Sequence, residues 1–139
     1  MKFFILNILY AALIFHCTFT GAQQCEKYFD DKLNLIVYTS VDNLPEYPGG
    51  ITEFFSFFSN NFQAQDQDYL QVTFKVEFIV DSDGGILNPK IIGEETEKLT
   101  PKEIEVIRII GIIPNWEPGS CNEKVVPVKI RMPIRISLP

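Results

Sequence analysis

Few side chains in this sequence could carry out catalysis. Its single histidine, His16, stands inside an apolar N-terminal stretch of the kind that is removed from exported proteins, so we expect the mature protein to contain no histidine. Cysteine occurs three times, as Cys17, Cys25 and Cys121, with no second histidine available to activate a thiol. No serine stands in a Gly-x-Ser-x-Gly motif. We therefore expect a protein that is not an enzyme, with no catalytic residue and no cofactor.

Acidic residues raise the question of a metal site. Asp81 and Asp83 open the turn 81–85 in the manner of a calcium loop, but that motif needs oxygen ligands at positions 5 and 12. Gly85 and Ile92 occupy those positions. The run Glu94–Glu97 is most simply a solvated loop. The pattern favours a hairpin turn, and we predict no metal ligand.

The N-terminus has the layout of a secretory signal peptide. Lys2 precedes an apolar segment, Phe3–Phe15, and then the small residues of Thr20-Gly21-Ala22. We predict cleavage after residue 22, which places the mature chain in the periplasm or outside the cell. The alternative is an uncleaved inner-membrane anchor, since 3–19 is close to the lower limit of about 17 residues for spanning a bilayer. Association with a membrane is expected only in that case.

Two cysteines would remain after cleavage. Cys25 and Cys121 would then meet an oxidising compartment, where a lone pair of cysteines favours a disulfide. The alternative is a pair of free, buried thiols that pack as small hydrophobic side chains.

Charge is distributed unevenly along the chain. The formal net charge is −6, which argues against general affinity for nucleic acid. Beyond Glu123, however, the sequence contains four cations and no acid, namely Lys124, Lys129, Arg131 and Arg135. The last element is therefore basic in an otherwise acidic protein.

Periodicity predicts the elements before this last one. Residues 33–40 are rich in β-branched and aromatic types and predict a strand. From Ile51 the spacing changes to a helical stripe, and 71–80 then alternates as a strand that continues through the turn 81–85 into a second strand, 86–93. The first helical stripe is Ile51, Phe54, Phe55, Phe58 and Phe62.

A second helix follows a clear start signal. Thr100-Pro101-Lys102-Glu103 has the form of a capping box with proline at the first helical position. Ile104, Ile107, Arg108 and Gly111 give a helical repeat, and the apolar run 106–113 predicts deep burial.

The final strand alternates apolar and polar residues from Val126 to Leu138. Pro127 and Pro133 are six positions apart, so their missing N–H groups point to the same side of the strand. That side is predicted to be free or only partly paired.

Together these elements predict an α+β domain. The expected order is β-α-β-β-α-β, with two helices on one face of a small antiparallel sheet. We assign residues 1–22 to the signal peptide, 23–32 to a lead-in segment and 33–139 to the domain.

Three motifs, in order, resemble the C-terminal domain of the TonB family. They are Pro45-Glu46-Tyr47-Pro48 before the first helix, the Asp-Gly turn within 71–92, and Trp116-Glu117-Pro118-Gly119 before the last strand. The resemblance covers roughly two thirds of the chain. It implies a non-enzymatic domain linked to transmembrane transport, which binds a short extended segment of an outer-membrane transporter, or of another periplasmic protein, as an added strand.

The resemblance also implies where a partner binds. The implied partner-binding residues are Pro45, Tyr47, Pro48, Val126, Val128, Lys129, Ile130, Arg131, Met132 and Arg135. The same strand could also pair with a second copy of the chain in a homodimer.

Tyr47 and Trp116 each have a second interpretation. Tyr47, between two prolines, is suited either to packing over the sheet or to contacting a peptide. Trp116 is expected at the margin of the core with its indole N–H satisfied locally.

The segment before the domain limits what the protein does. Residues 23–32 reach about 35 Å at most when extended, which is too short to cross the periplasm. Without an anchor, the domain could bind strands but not transduce energy. The alternative is a free-standing periplasmic or secreted domain with a structural or regulatory role.

Overall fold

The computed structural model describes residues 24–63 and 70–138. The predicted signal peptide, residues 1–22, lies outside the described residues. The strands are β1 (Lys27–Asp30), β2 (Leu35–Tyr38), β3 (Leu70–Val80), β4 (Ile86–Ile91), β5 (Ser120–Cys121), β6 (Lys124–Val125) and β7 (Val128–Leu138). The helices are α1 (Gly50–Asn61) and α2 (Pro101–Ile112), with a 3-10 turn at Thr96–Lys98.

Five strands form the main sheet, in the order β1-β2-β7-β3-β4, and β5 and β6 form a separate hairpin. The long strands β3 and β7 pair antiparallel from Leu70↔Leu138 to Val80↔Val128 without a register shift. The β2–β7 pair is parallel and consists of Tyr38↔Val128. The last strand in sequence therefore lies at the centre of the sheet.

Both helices pack on one face of this sheet. The α1 stripe buries Phe54 and Phe58 completely or nearly so, while Ile51 at its start is 54% exposed. From α2, the deeply buried residues are Val106, Ile109 and Ile110. They meet the inward side chains of β3 and β7, including Phe74, Val76, Phe78, Ile134 and Ile136.

The predicted start of α2 is confirmed and its predicted phase is wrong. The Thr100 hydroxyl accepts a bond from Glu103 N, and the Glu103 carboxylate accepts one from Thr100 N, as the capping box requires. Ile104, however, is 55% exposed. In this isoleucine-rich helix two stripes compete, and contact with the sheet selects the one through Val106 and Ile110.

A disulfide ties the N-terminal strand to the small hairpin. Cys25 and Cys121 are paired, with their Cα atoms 6.3 Å apart and a sequence separation of 96. Cys121 belongs to a second apolar cluster with Val41, Val126 and Val128. The predicted pairing of the two cysteines is thus present in the structure.

The α+β class with two helices is confirmed, but the molecule has more elements than the predicted order. The predicted lead-in 23–32 contains the strand β1, and a two-strand hairpin precedes β7. The prediction of an antiparallel sheet is corrected to a mixed sheet, because β2 runs parallel to β7. Among the described residues, no helix is long and apolar enough to span a membrane.

Candidate functional site

One side of β7 has almost no strand partner among the described residues. β2 reaches it only at Val128, where Tyr38 N donates to Pro127 O at 2.9 Å. Successive residues of a strand turn their peptide groups to opposite sides. The odd-numbered positions of β7 therefore face this side, which we call the open edge: Lys129, Arg131, Pro133, Arg135 and Ser137.

The hydrogen bonding between β3 and the chain at the end of β4 independently shows that the backbone nitrogen of Pro133 faces the open edge. Lys75, the register partner of Pro133, accepts a bond from Ile92 N at 2.8 Å through its carbonyl oxygen. Lys75 thus turns its peptide groups toward β4 and away from β7. Pro133 breaks no ladder bond with β3, and its missing N–H lies on the open edge, as the proline spacing predicted.

A groove of about 620 Å³ adjoins the first part of the open edge. Leu44 and Ile51 on its wall are 69% and 54% exposed. Two half-buried β7 residues, Ile130 and Met132, also border it. The full lining is Tyr28, Thr39, Leu44, Pro45, Ile51, Trp116, Lys129, Ile130, Arg131 and Met132. The groove is mainly apolar, with the two cations next to the strand edge.

The Pro45–Pro48 segment forms one border of the groove and is firmly held. Glu46 and Glu117 exchange two backbone hydrogen bonds, of 3.0 and 2.8 Å. Pro45 lines the groove, but Pro48 is exposed and is not part of its lining. This segment therefore supplies a rigid wall.

Tyr47 packs in the core. It is 6% exposed, and its ring meets Phe54 and Trp116 edge-on, with ring centroids 5.5 and 5.7 Å away. Burial, together with the charge of Glu53, raises the pKa of the Tyr47 phenol. Of the two interpretations of this residue, the structure favours packing.

Trp116 forms the centre of this aromatic cluster. It is 7% exposed and contacts Tyr47, Phe54 and Phe78 edge-on. The prediction that its indole N–H is satisfied locally is wrong for the described part of the chain, because Nε1 is buried and has no hydrogen-bond partner there. Its position is fixed instead by backbone contact, since Trp116 N donates to Gly84 O at 2.9 Å.

The sheet face opposite the helices is basic and is organised around Glu77. This carboxylate is 5% exposed and contacts Lys90 at 2.8 Å, Arg131 at 2.5 Å and Lys129 at 3.7 Å. Burial alone would raise the pKa of Glu77, but the bonds from Lys90 and Arg131 and the charge of Lys129 outweigh it and lower the pKa. Glu77 therefore stays ionised and holds cations from both neighbouring strands.

Apart from Pro45, Tyr47 and Pro48, the sequence-predicted partner-binding residues divide into three groups. Lys129, Ile130, Arg131 and Met132 line the groove. Arg135 is exposed further along the open edge. Val126 and Val128 are buried under the hairpin β5–β6.

Sequence reasoning missed five groove residues, namely Tyr28, Thr39, Leu44, Ile51 and Trp116. Two of them, Leu44 and Ile51, offered a signal. Ile51 is the first apolar residue of the α1 stripe and stands in the first turn of the helix. Leu44 is held extended by the following proline.

One group of metal-binding side-chain types occurs in the described residues. Cys25, Cys121 and Asp42 place one ligand atom each within 4.8 Å of one another. The disulfide takes both thiolates that a metal would need. We therefore assign this group to the covalent link.

Comparison with known proteins identifies no relative: no family model, no curated protein and no solved structure matches this chain.

Proposed function

We propose that this protein is a non-enzymatic binding domain of the TonB C-terminal type, which takes up an extended peptide by adding it as a strand to the open edge of β7. One observation carries the proposal. Within residues 24–63 and 70–138, β7 pairs with β3 along its whole length on one side and with β2 only at Val128 on the other. A long strand with one unpaired side is a template for strand addition.

The open edge offers backbone groups at regular intervals. Arg131 and Arg135 each present one N–H and one C=O outward, and Pro133 between them presents a C=O alone. An incoming strand gains ladder bonds at both arginines and meets a donor gap at Pro133. Strand addition is thus supported, and unlimited edge-to-edge association is restricted by the same proline.

The groove supplies recognition of side chains. Residues of an added strand alternate between its two faces, so every second side chain would enter the space bordered by Leu44, Ile51 and Met132. Exposed apolar walls beside a free edge favour apolar side chains at those positions.

The partner follows from the resemblance. We propose an extended segment of an outer-membrane TonB-dependent transporter, of the TonB-box type, or of another periplasmic protein. The site of action is the periplasm or the cell exterior if residues 1–22 are removed, and the inner-membrane surface if they are retained. In the second case the domain would be an energy transducer, and in the first a binding component of transport.

The test is an NMR titration of the mature domain with a TonB-box-type peptide and with the same peptide N-methylated along one edge. We expect backbone shifts confined to the groove and to 129–137, and their loss on N-methylation. Arg135→Pro, which removes an outward donor, should weaken binding, whereas Arg135→Ala keeps the donor and serves as the matched control.

Shifts elsewhere, or none at millimolar peptide, would contradict the proposal and leave the open edge as a guard against aggregation. Association of the protein with itself at NMR concentration, with shifts in the same residues, would identify a second copy of the chain as the occupant.

A further inference from the structure

We infer that the segment bound at the open edge alternates in character, with acidic side chains on one face and apolar side chains on the other. This inference rests on the proposed function and specifies its ligand. It arises because the two faces of the same strand edge differ in chemistry.

The register fixes which face each residue serves. Thr73↔Arg135, Lys75↔Pro133 and Glu77↔Arg131 are cross-strand pairs and share the face opposite the helices. The intervening residues of β7, Ile130 and Met132, lie on the helix side and border the groove. A peptide residue placed beside Arg131 therefore has its side chain on the basic face, and its two neighbours point into the groove.

The basic face has a clear excess of cations. Glu77 is the single acidic residue in the sequences of β3, β4 and β7, while these strands contain five cations. The five are Lys75, Lys90, Lys129, Arg131 and Arg135. Because Glu77 neutralises one of them, the face keeps a positive charge within a protein whose net charge is −6.

Two of these cations are placed to meet a ligand. Glu77 contacts Arg131 through Nε, and the Arg131 side chain is still 66% exposed, so its terminal nitrogens face solvent. Arg135, four residues further along β7, is also exposed. Lys129 is committed elsewhere, with Nζ 4.2 Å from the centre of the Tyr28 ring. Glu77 thus orients Arg131 in advance, which reduces the entropy lost when a carboxylate binds.

The groove side disfavours acids. Its walls on the helix side, formed by Leu44, Ile51 and Met132 among others, are apolar, and its two cations, Lys129 and Arg131, belong to the opposite face of β7. A carboxylate directed at these helix-side walls would lose hydration and gain no cation from them. The same residue turned to the other face would meet Arg131 or Arg135.

The experiment uses four peptides of about nine residues, long enough to cover the edge. They are an alternating Val/Glu peptide, an alternating Val/Lys peptide, a block peptide with the Val/Glu composition, and the Val/Glu peptide N-methylated along one edge. Calorimetry at low salt is expected to give about tenfold tighter binding for alternating Val/Glu than for Val/Lys. The block and N-methylated peptides should bind at least as weakly as Val/Lys.

Charge-reversed proteins complete the test. Arg131→Glu/Arg135→Glu should invert the preference, and Arg135→Glu alone, which leaves the Glu77 cluster intact, should reduce the ratio about threefold. Equal binding of Val/Glu and Val/Lys, lost on N-methylation, overturns this inference and leaves strand addition standing. Equal binding of the block peptide also overturns it, because simple charge attraction then suffices. Binding by none of the peptides overturns the inference and the proposed function together.

Discussion

The two sides of β7 differ sharply in how far they are paired. Toward β3, all 11 residues of the strand are in register with a partner. Toward β2, Val128 alone has a strand partner in the part of the chain that the structure describes. Pro127 and Pro133 both stand at odd-numbered positions, whose peptide groups face this second side. The comparison shows that proline can stand in the central strand of a sheet when its missing donor faces a side that the fold leaves unpaired.

Introducing a proline on one side of β7 or on the other gives the largest expected difference in stability. Met132→Pro removes a ladder donor toward β3 and should lower the free energy of unfolding by about 4 kcal/mol. Arg135→Pro removes a donor from the open edge and should cost less than about 1 kcal/mol. Chemical denaturation measures both, with Met132→Ala and Arg135→Ala as controls for the loss of each side chain.

A different outcome would break the comparison. If Arg135→Pro, corrected for Arg135→Ala, destabilises the domain as much as Met132→Pro does, the second side of β7 is paired in solution, and no open edge exists.

Removal of the disulfide is expected to affect the stability of the two sides of β7 differently. The Cys25→Ser/Cys121→Ser protein should lose about 2 to 4 kcal/mol of unfolding free energy, since the link closes a long loop. Because the link holds β1 and the hairpin on the β2 side, hydrogen exchange should accelerate there first, while β3 and β7 keep their protection. Uniform acceleration would show that both sides open as one unit.

Glu77→Gln is expected to cost about 1 to 3 kcal/mol at neutral pH, because it leaves three cations without their shared carboxylate. The folded-state pKa of Glu77 is lowered, so its stabilisation is complete above the ordinary carboxyl pKa. It is lost as the pH falls from there through the lowered value. The wild-type domain should therefore lose its advantage over Glu77→Gln on acidification, as thermal unfolding at a series of pH values can measure. A constant difference between the two proteins would exclude this titration.

The smallest effect on stability is expected in the groove. Ile51→Ala removes an exposed side chain and should change the unfolding free energy by less than about 0.5 kcal/mol, yet weaken peptide binding about fivefold. Ile104→Ala is the matched control, since Ile104 is also an exposed isoleucine in the first turn of a helix. Equal binding by both variants would remove the groove from the binding site.

The sequence was sufficient where the information is local. Strand alternation and proline parity in β7 predict its open side, and the capping box predicts the start of α2, because each depends on neighbouring residues alone. The helical stripe that begins at Ile51 correctly predicts the burial of Phe54 and Phe58 for the same reason.

Long-range packing decided what the sequence did not predict. In α2, two apolar stripes fit the sequence equally well, and only the sheet chooses between them. Tyr47 could have faced a ligand, but the aromatic cluster with Phe54 and Trp116 encloses it. β1, in the polar segment predicted as a lead-in, becomes a strand because β2 offers an unpaired edge to a chain that the disulfide keeps nearby.

The disulfide also determines the mechanical behaviour of the domain. Tension applied before Cys25 enters the fold at that residue and passes through the sulfur atoms to Cys121, close to the start of β7. The β1–β2 hairpin lies outside this load path. Its two strands, which would otherwise be the first to separate, therefore carry little of the tension. A domain pulled from its N-terminus would thus transmit tension directly to the strand that we propose holds the peptide.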